Sequence, residues 1–363
     1  MYSLVVIAVL ALSVYLFMQQ PIFGKLPSGE RLERIQKSPN FKDGSFQNLS
    51  ETPQLAEGET MLKVLKKFLF DKKERNKPTN SLPSQKVDLK TLAPDENVII
   101  WFGHSSYFIQ IDGKKILVDP VFSGAASPLS FTTKSYRGSD VYAADDFPLI
   151  DYLFLTHDHY DHLDYETVVA LKSNVRKVIT GLGTGAHLEY WGYDAADIIE
   201  KDWYESVDLG DGFKVTLTPT RHFSGRTFKR NTSLWTSFVL QTPSQKIYLG
   251  GDSGYDTHFA AIGEKFGPFD LALLECGQYN ESWKYIHMLP EQLIPAAKDL
   301  KAKVLMPVHW GKFSLANHAW DEPITKATQY AHEQNLPLLT PMIGEKIDLD
   351  AVKVYESWWK NVR

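Results

Sequence analysis

The chain has almost no sulfur chemistry to offer. Cys276 is its only cysteine, so no internal disulfide can form and no cysteine-rich metal site can be built. Any metal ion must therefore be held by imidazoles and carboxylates, and the 11 histidines become the residues to follow. A basic surplus is missing too. The formal net charge of −5 argues against a dedicated nucleic-acid binder, which needs a cationic footprint. Repeats and low-complexity tracts are absent. What the 363 residues do hold is apolar material: 43% are hydrophobic and 23% charged, enough to bury a substantial core in one large domain or two modest ones.

Long apolar runs are scarce, and the exception is Tyr2 to Met18. It is short for a spanning helix, which needs about 17–25 apolar residues. No Lys or Arg precedes it, and Gln19-Gln20-Pro21 follows instead of a small-residue cleavage site, which disfavours a cleaved secretory signal. No cysteine follows, which excludes a lipoprotein anchor. No polar alternation gives it an amphipathic face, so residues 1–20 read as an uncleaved membrane anchor. Lys25, Arg31, Arg34 and Lys37 lie after the run, which predicts a domain facing the cytoplasm.

Residues 21–95 read as a linker and N-terminal extension, punctuated by Pro21, Pro27, Pro39, Pro53, Pro78, Pro83 and Pro94. Within it, Thr60 to Lys73 has helical spacing of apolar residues and a Lys-rich remainder. This is either an ordinary surface helix with a solvated basic face or a helix lying on an anionic membrane. From Asn97 the texture changes. Val98–Phe102, Tyr107–Ile111 and Lys115–Val118 are β-branched and aromatic runs, and Asp112-Gly113 separates the last two as a hairpin turn. Further strands are expected at Asp151–Leu155, Lys214–Leu217, Leu234–Gln241, Lys246–Leu249, Leu271–Leu274 and Val304–Val308. Helices are expected at Tyr165–Lys172, Pro290–Lys301 and Ile324–Gln334. Strands interleaved with helices give an α/β or α+β class for residues 96–363.

The segment Thr156-His157-Asp158-His159-Tyr160-Asp161-His162 carries the chemistry. Three histidines and a carboxylate follow a buried strand and precede a helix. His157 and His159 share a side by the two-residue period, while Asp161 and His162 follow where the backbone turns toward a second point. Imidazoles with a balancing carboxylate are what two adjacent borderline cations require. Three later positions repeat the context of a polar residue at a strand exit. They are His222, Asp252 behind Gly250-Gly251, and His309. The glycines allow close backbone approach. Each position alone reads as structural; as an ordered set with the first motif, they read as ligands.

The run from His157 to His162 matches the HxHxDH signature of the metallo-β-lactamase superfamily. From about Asn97 to Asp348 the chain resembles N-acyl-phosphatidylethanolamine-hydrolysing phospholipase D and its bacterial relatives. The segments that carry this are Trp101-Phe102-Gly103-His104-Ser105-Ser106, Val118-Asp119-Pro120-Val121-Phe122-Ser123, Phe266-Gly267-Pro268-Phe269-Asp270 and His309-Trp310-Gly311-Lys312-Phe313-Ser314. The resemblance implies an α+β, αββα sandwich behind the N-terminal apolar segment, with two zinc ions per chain. His157, His159 and His222 would hold one ion, Asp161, His162 and His309 the other, with Asp252 bridging. His287 would be a further active-site residue, catalytic together with Asp161 and Asp252. His104 and Asp119 would orient ligands, while His187, His258, His318 and His332 would be bystanders and Cys276 a core residue.

The activity so implied is hydrolysis of a phosphodiester in an N-acylated phospholipid by a hydroxide between the metals, at a bacterial inner membrane and with a homodimer as a possible assembly. A lipid substrate calls for an apolar entrance near the metals, for which Phe131, Tyr136, Trp283 and Tyr285 are candidates. The alternatives are a lactonase or phosphate-ester hydrolase with a small polar pocket, and a non-catalytic membrane-tethered scaffold. The full ligand set argues against the scaffold, because buried charged groups are costly to keep without use.

Overall fold

The computed structural model describes residues 2–71, 74–351 and 355–363. The N-terminal part contains α1 (Tyr2–Met18), α2 (Gly29–Gln36), a short hairpin of β1 (Phe41–Lys42) and β2 (Ser45–Phe46), and α3 (Met61–Phe70). α1 is a 17-residue helix, apolar on every side and exposed along its length. Among the described residues, no helix is long and apolar enough to cross a membrane. The expected anchor is therefore present as an apolar helix but not as a span. α3 begins where Thr60 Oγ1 accepts from the Lys63 amide at 3.2 Å. It covers most of the expected 60–73 helix; Lys72 and Lys73 lie outside the described residues.

The first sheet contains β3 (Val98–Trp101), β4 (Tyr107–Ile111), β5 (Lys114–Val118), β6 (Ile150–Leu155), β7 (Val175–Gly181) and β8 (Ile198–Lys201), with α4 (Tyr165–Leu171) and α5 (Gly185–Tyr190) in its crossovers. The second contains β9 (Ser206–Gly210), β10 (Phe213–Thr218), β11 (Ser237–Gln241), β12 (Lys246–Leu249), β13 (Leu271–Glu275) and β14 (Leu305–Val308), with α6 (His258–Phe266) and α7 (Leu293–Asp299) between strands. α8 (Glu322–Glu333) follows, and β15 (Lys346–Asp348) returns to pair with β3. The sheet orders are β15-β3-β4-β5-β6-β7-β8 and β14-β13-β12-β11-β10-β9. In each sheet antiparallel hairpins give way to parallel strands where helices cross over.

The pleat explains the layering. Ile99 and Trp101 of β3 face the second sheet, while Ile100 and Phe102 face α4 and α5. Phe154 and Phe238 meet across the inter-sheet core with ring centroids 4.9 Å apart. α6, α7 and α8 cover the outer face of the second sheet through Phe259, Ile262, Ile294, Ile324 and Ala327. Both sheets are thus buried on both faces, which is why strands such as Val98–Trp101 are continuously apolar. The architecture is the expected α+β, αββα sandwich. β11 starts at Ser237, not at Leu234, because Leu234 and Trp235 turn away to pack under the N-terminal extension. β7, β8, β9, α5, α6 and β15 were not anticipated; polar and apolar residues of β7 to β9 do not alternate cleanly, whereas Phe259, Ile262 and Phe266 of α6 do fall at helical spacing.

The 21–95 stretch is bound to the body. Ile35 and Phe46 enter a cluster with Leu182, Trp203, Leu234 and Trp235. Arg31 pairs with Glu189 and Glu200 at 2.7 Å each, and Arg34 reaches the Glu200 carbonyl. Two of the four basic residues read as an orientation signal are therefore engaged by the domain itself. At the other end, Trp358 and Trp359 pack back beside Trp310 and Trp320, while Val352 to Val354 of that segment lie outside the described residues. Phe46→Ala is expected to lower the unfolding free energy by about 3–5 kcal/mol, as for a core aromatic. Urea unfolding checks it, and a change within about 0.5 kcal/mol, the size of a surface substitution, would mean the extension is only loosely attached.

Candidate metal centre

Strand ends build the site. β5 delivers Asp119, β6 the His157–His162 loop, β10 His222, β12 Asp252, β13 Glu275 and β14 His309, each at or just beyond a C-terminal strand end. The turn between β3 and β4 adds His104 and Ser105, tied down because His104 exchanges backbone hydrogen bonds with the His309–Trp310 segment at 2.7 and 2.9 Å. Close approach is needed behind Asp252. A Cβ on Gly251 would come within 2.4 Å of the Thr236 carbonyl, and one on Gly250 within 2.5 Å of the Leu273 carbonyl. His104, Asp119 and His309 all adopt left-handed backbone, with φ of 54°, 41° and 68°. Such conformations cluster where surrounding structure over-determines a functional group.

The side chains form two adjoining groups. His157, His159 and His222 converge, with His157 Nε2 at 2.9 Å and His222 Nε2 at 3.2 Å from His159 Nδ1. His104, Asp161, His162 and His309 form the second group. Asp252 lies between the two: its carboxylate is 3.1 Å from His162, 3.2 Å from His309 and 3.9 Å from both His157 and His222. All seven positions proposed as ligands are thus brought together.

Neighbours fix the orientation of the rings. His222 Nδ1 donates to the Ile286 carbonyl at 2.9 Å, which turns Nε2 inward. His162 Nδ1 donates to Asp119 at 2.8 Å, and Thr156 holds that carboxylate through its amide and hydroxyl at 2.9 and 2.6 Å. His104 Nε2 donates to Asp161 at 2.9 Å, and Ser105 Oγ lies 2.9 Å from His309 Nδ1. His104 and Asp119 therefore act on ligand side chains. Outer partners of this kind set the tautomer and basicity of metal-binding groups.

The donor set fits divalent cations. Buried ligand-type atoms without a partner include His159 Nε2 and His309 Nε2, a costly arrangement in an interior where polar atoms are otherwise paired. Burial holds the His157, His222 and His309 imidazoles well below their ordinary value, so they are neutral, as ligands must be. Burial opposes a charge on His162 as well, yet the Asp252, Asp161 and Asp119 carboxylates outweigh it and hold that imidazole well above its ordinary value. Burial likewise opposes ionisation of Asp161 and Asp252, and His162 overrides it in both. The cluster is thus a nest of carboxylates and largely neutral imidazoles, with His162 carrying the positive charge that balances Asp161 and Asp252.

His287 joins the site from the side of β13. Its ring lies 5.0 Å from that of His222 and 5.4 Å from that of His309, so it overlooks both groups. Its Nδ1 is 2.6 Å from Glu275, and the same carboxylate accepts from the Ser253 and Met288 amides at 3.1 and 3.0 Å. Burial raises Glu275; for His287 the carboxylate overcomes burial and holds the imidazole above its ordinary value. Glu275 was missed from the sequence. Its signal was present: it ends the apolar run Leu271–Leu274, as Asp252 follows Tyr248-Leu249. Asp158 was missed too. Buried, it receives the Gly225 amide at 2.6 Å, the Ser233 hydroxyl at 2.9 Å and His187 at 3.3 Å, and so pins the loop that follows His222. His187 and His258 are buried partners of Asp158 and Ser253, His318 receives the Gln278 amide, and Cys276 lies in the core.

A cavity of about 250 Å³ opens onto this cluster. His159, Asp161, His222, Asp252, His287 and His309 line it together with Leu55, Met61, Val64, Phe223, Trp283, Ile286 and Leu315. Of the aromatic residues expected at the entrance, only Trp283 lines it. Tyr136 is buried on Ser314 and Phe313, Tyr285 is taken up by Glu57 and Arg221, and Phe131 projects from a neighbouring loop. The wall expected from those aromatics is supplied instead by the N-terminal extension, through Leu55, Met61 and Val64.

Fold and site define a metal-dependent hydrolase of the metallo-β-lactamase superfamily. Residues 114–310, more than half of the chain, match the family described as the beta-lactamase superfamily domain, and the chain belongs to that family. An uncharacterised protein of Mycobacterium tuberculosis is 36% identical over 329 residues, covering 90% of this chain and 88% of that protein. N-acyl-phosphatidylethanolamine-hydrolyzing phospholipase D 1 of Caenorhabditis elegans is 29% identical over 262 residues, covering 65% of this chain and 73% of its own length. Among solved structures, a metallo hydrolase from Ignicoccus hospitalis is similar in fold, with a TM-score of 0.54 at 21% identity over 69% of this chain and 97% of that one.

Asp119→Asn keeps the shape beside His162 but removes the charge. It is expected to weaken metal affinity about 10–100-fold with the fold intact. Competition with a chelator, read beside circular dichroism, measures this; unchanged affinity would sink the orienting role of Asp119.

Proposed function

We propose that the protein is a binuclear zinc hydrolase of phosphodiesters, of phospholipase D type, acting on N-acyl-phosphatidylethanolamine-like lipids. The observation that carries this reading is the apolar wall beside the His/Asp cluster. A small soluble ester would call for a polar pocket, whereas Leu55, Met61, Val64, Trp283, Ile286 and Leu315 suit an acyl chain beside a phosphate. The two non-bridging oxygens of a phosphodiester also suit two adjoining ligand groups.

His157, His159 and His222 would hold one ion, and Asp161, His162 and His309 the other, with Asp252 shared. Two such cations, when bound, supply Lewis acidity and make water a nucleophile at neutral pH. The chain's own residues do the rest. Asp161 and Asp252 remain ionised and balance the charge. Glu275 holds Nδ1 of His287 and leaves Nε2 for the substrate. Water adds its oxygen to phosphorus and gives up a proton to solvent, the bond to the N-acylethanolamine oxygen breaks, and that oxygen takes a proton from His287, which solvent then reprotonates. The products are phosphatidate and an N-acylethanolamine. Imidazole with a raised pKa suits this donation, and Glu275 acts as its positioning residue. α1, apolar all round, is read as the segment that holds the chain at a bilayer without spanning it.

Purified full-length protein should contain about two zinc ions per chain, as binuclear hydrolysis requires. It should release phosphatidate from N-acyl-phosphatidylethanolamine, and Asp161→Asn should abolish release. Two metals with no such activity, but turnover of lactones or soluble diesters, would redirect the assignment; absence of metal under metal-replete expression would end it. His287→Ala should keep its metal and lose about 10²–10⁴-fold in kcat, the range of a general acid. Full turnover in that variant would remove His287 from the mechanism.

A further inference from the structure

The cavity wall leads outward onto α3, a helix that little else covers. Met61, Val64, Leu65 and Phe68 fall at i, i+3, i+4 and i+7 and form one stripe. Met61 and Val64, along one edge, line the cavity. Most of the apolar surface of the helix nevertheless stands in water: Met61 is 67% exposed, Leu62 76%, and Leu65 and Phe68 50% each. α3 contains no acidic residue. Lys66 projects from it to solvent, Lys63 is exposed with its ammonium on the Gly58 carbonyl at 2.6 Å, and Lys67 turns back to Glu59 and Ser282.

The same rim continues on a second element. Phe223 lines the cavity, and five residues along the same loop Phe228 is 85% exposed, followed by Lys229 and Arg230. The Arg230 guanidinium of that loop lies 5.6 Å from the Phe223 ring. Apolar side chains and cations thus stand together on α3 and on this loop, the two elements that border the cavity, in a chain whose net charge is −5.

We propose that α3 is an interfacial helix. It docks on an anionic lipid surface with Leu62, Leu65 and Phe68 immersed and Lys63 and Lys66 at the headgroups, and Phe228 makes the second contact. Charge favours this occupant: a second copy of the chain would set lysines against lysines, whereas anionic headgroups neutralise them. Continuity favours it too, because the immersed stripe runs into the cavity wall and a lipid could reach the metal ligands without crossing water. The inference extends the reading of the site as a lipid hydrolase, and its test needs no turnover, so the two can fail separately.

Cys276 is buried, so Leu65→Cys creates one accessible thiol in the full chain for an environment-sensitive fluorophore, with Glu333→Cys on α8 as the reference position. Phosphatidylcholine vesicles containing phosphatidylglycerol should brighten and blue-shift the label at position 65 and leave that at 333 unchanged. Pure phosphatidylcholine should do far less. Lys63→Gln with Lys66→Gln should weaken the response on the order of fivefold for each charge. A silent label at 65 on vesicle-bound chain, where α1 alone holds the protein, would overturn the proposal. So would equal responses to neutral and anionic vesicles, or a shift that tracks protein concentration without lipid and reports self-association. Activity on a water-soluble phosphodiester, measured in parallel, tests the hydrolase reading independently.

Discussion

His162 is held from both sides by carboxylates, Asp119 on one ring nitrogen and Asp252 on the other. Asp119 stands at the end of a strand in the first sheet and Asp252 beyond a strand of the second. The contact therefore spans the two sheets at the point where their edges open. Buried carboxylates and imidazoles are tolerated only when each has a partner, so neither sheet can shift without stranding a charge. The remaining ligands are spaced from this chain: Thr156 fixes Asp119, Ser105 and Asp252 fix His309, and Ile286 fixes His222. Packing of the two sheets and assembly of the candidate metal ligands are one condition.

Much of this was legible in the sequence, for reasons that differ from part to part. The histidine loop could be read because its ligands are contiguous and follow a buried strand. His222, Asp252 and His309 could be read because each follows an apolar run. Glu275 met the same criterion and escaped because the run that it closes ends in the charge itself. Asp158 was hidden by richer neighbours, and its partners, an imidazole, a backbone amide and a hydroxyl, lie 29, 67 and 75 residues away, which no local pattern reports. Strands β7 to β9 were the hardest to see. β7 passes from exposed and half-buried residues to buried ones and β9 has no buried residue, neither with a clean period, so their pairing decides their conformation.

The N-terminal extension was the least legible part. Its prolines and polar residues suggest a tether, yet Ile35 and Phe46 are buried in an aromatic cluster and Leu55, Met61 and Val64 border the site. Tertiary contacts made more than a hundred residues away override what local composition suggests. The superfamily scaffold supplies the ligands, whereas this extension supplies much of the wall that a substrate would meet. The cavity is thus bordered by two parts of the chain, the extension through Leu55, Met61 and Val64 and the body through Phe223, Trp283, Ile286 and Leu315.

The left-handed backbone at His309 limits which metals the site could be adapted to hold. Aspartate, asparagine and histidine enter that conformation more readily than other side chains that bear a β-carbon. A shift toward softer ions would call for thiolate ligands. At His309 a cysteine would have to bear the backbone strain as well as the change of donor. The turn that aims this ligand therefore also narrows the set of ligands that could replace it, and ties the preference for nitrogen and oxygen donors to the path of the main chain.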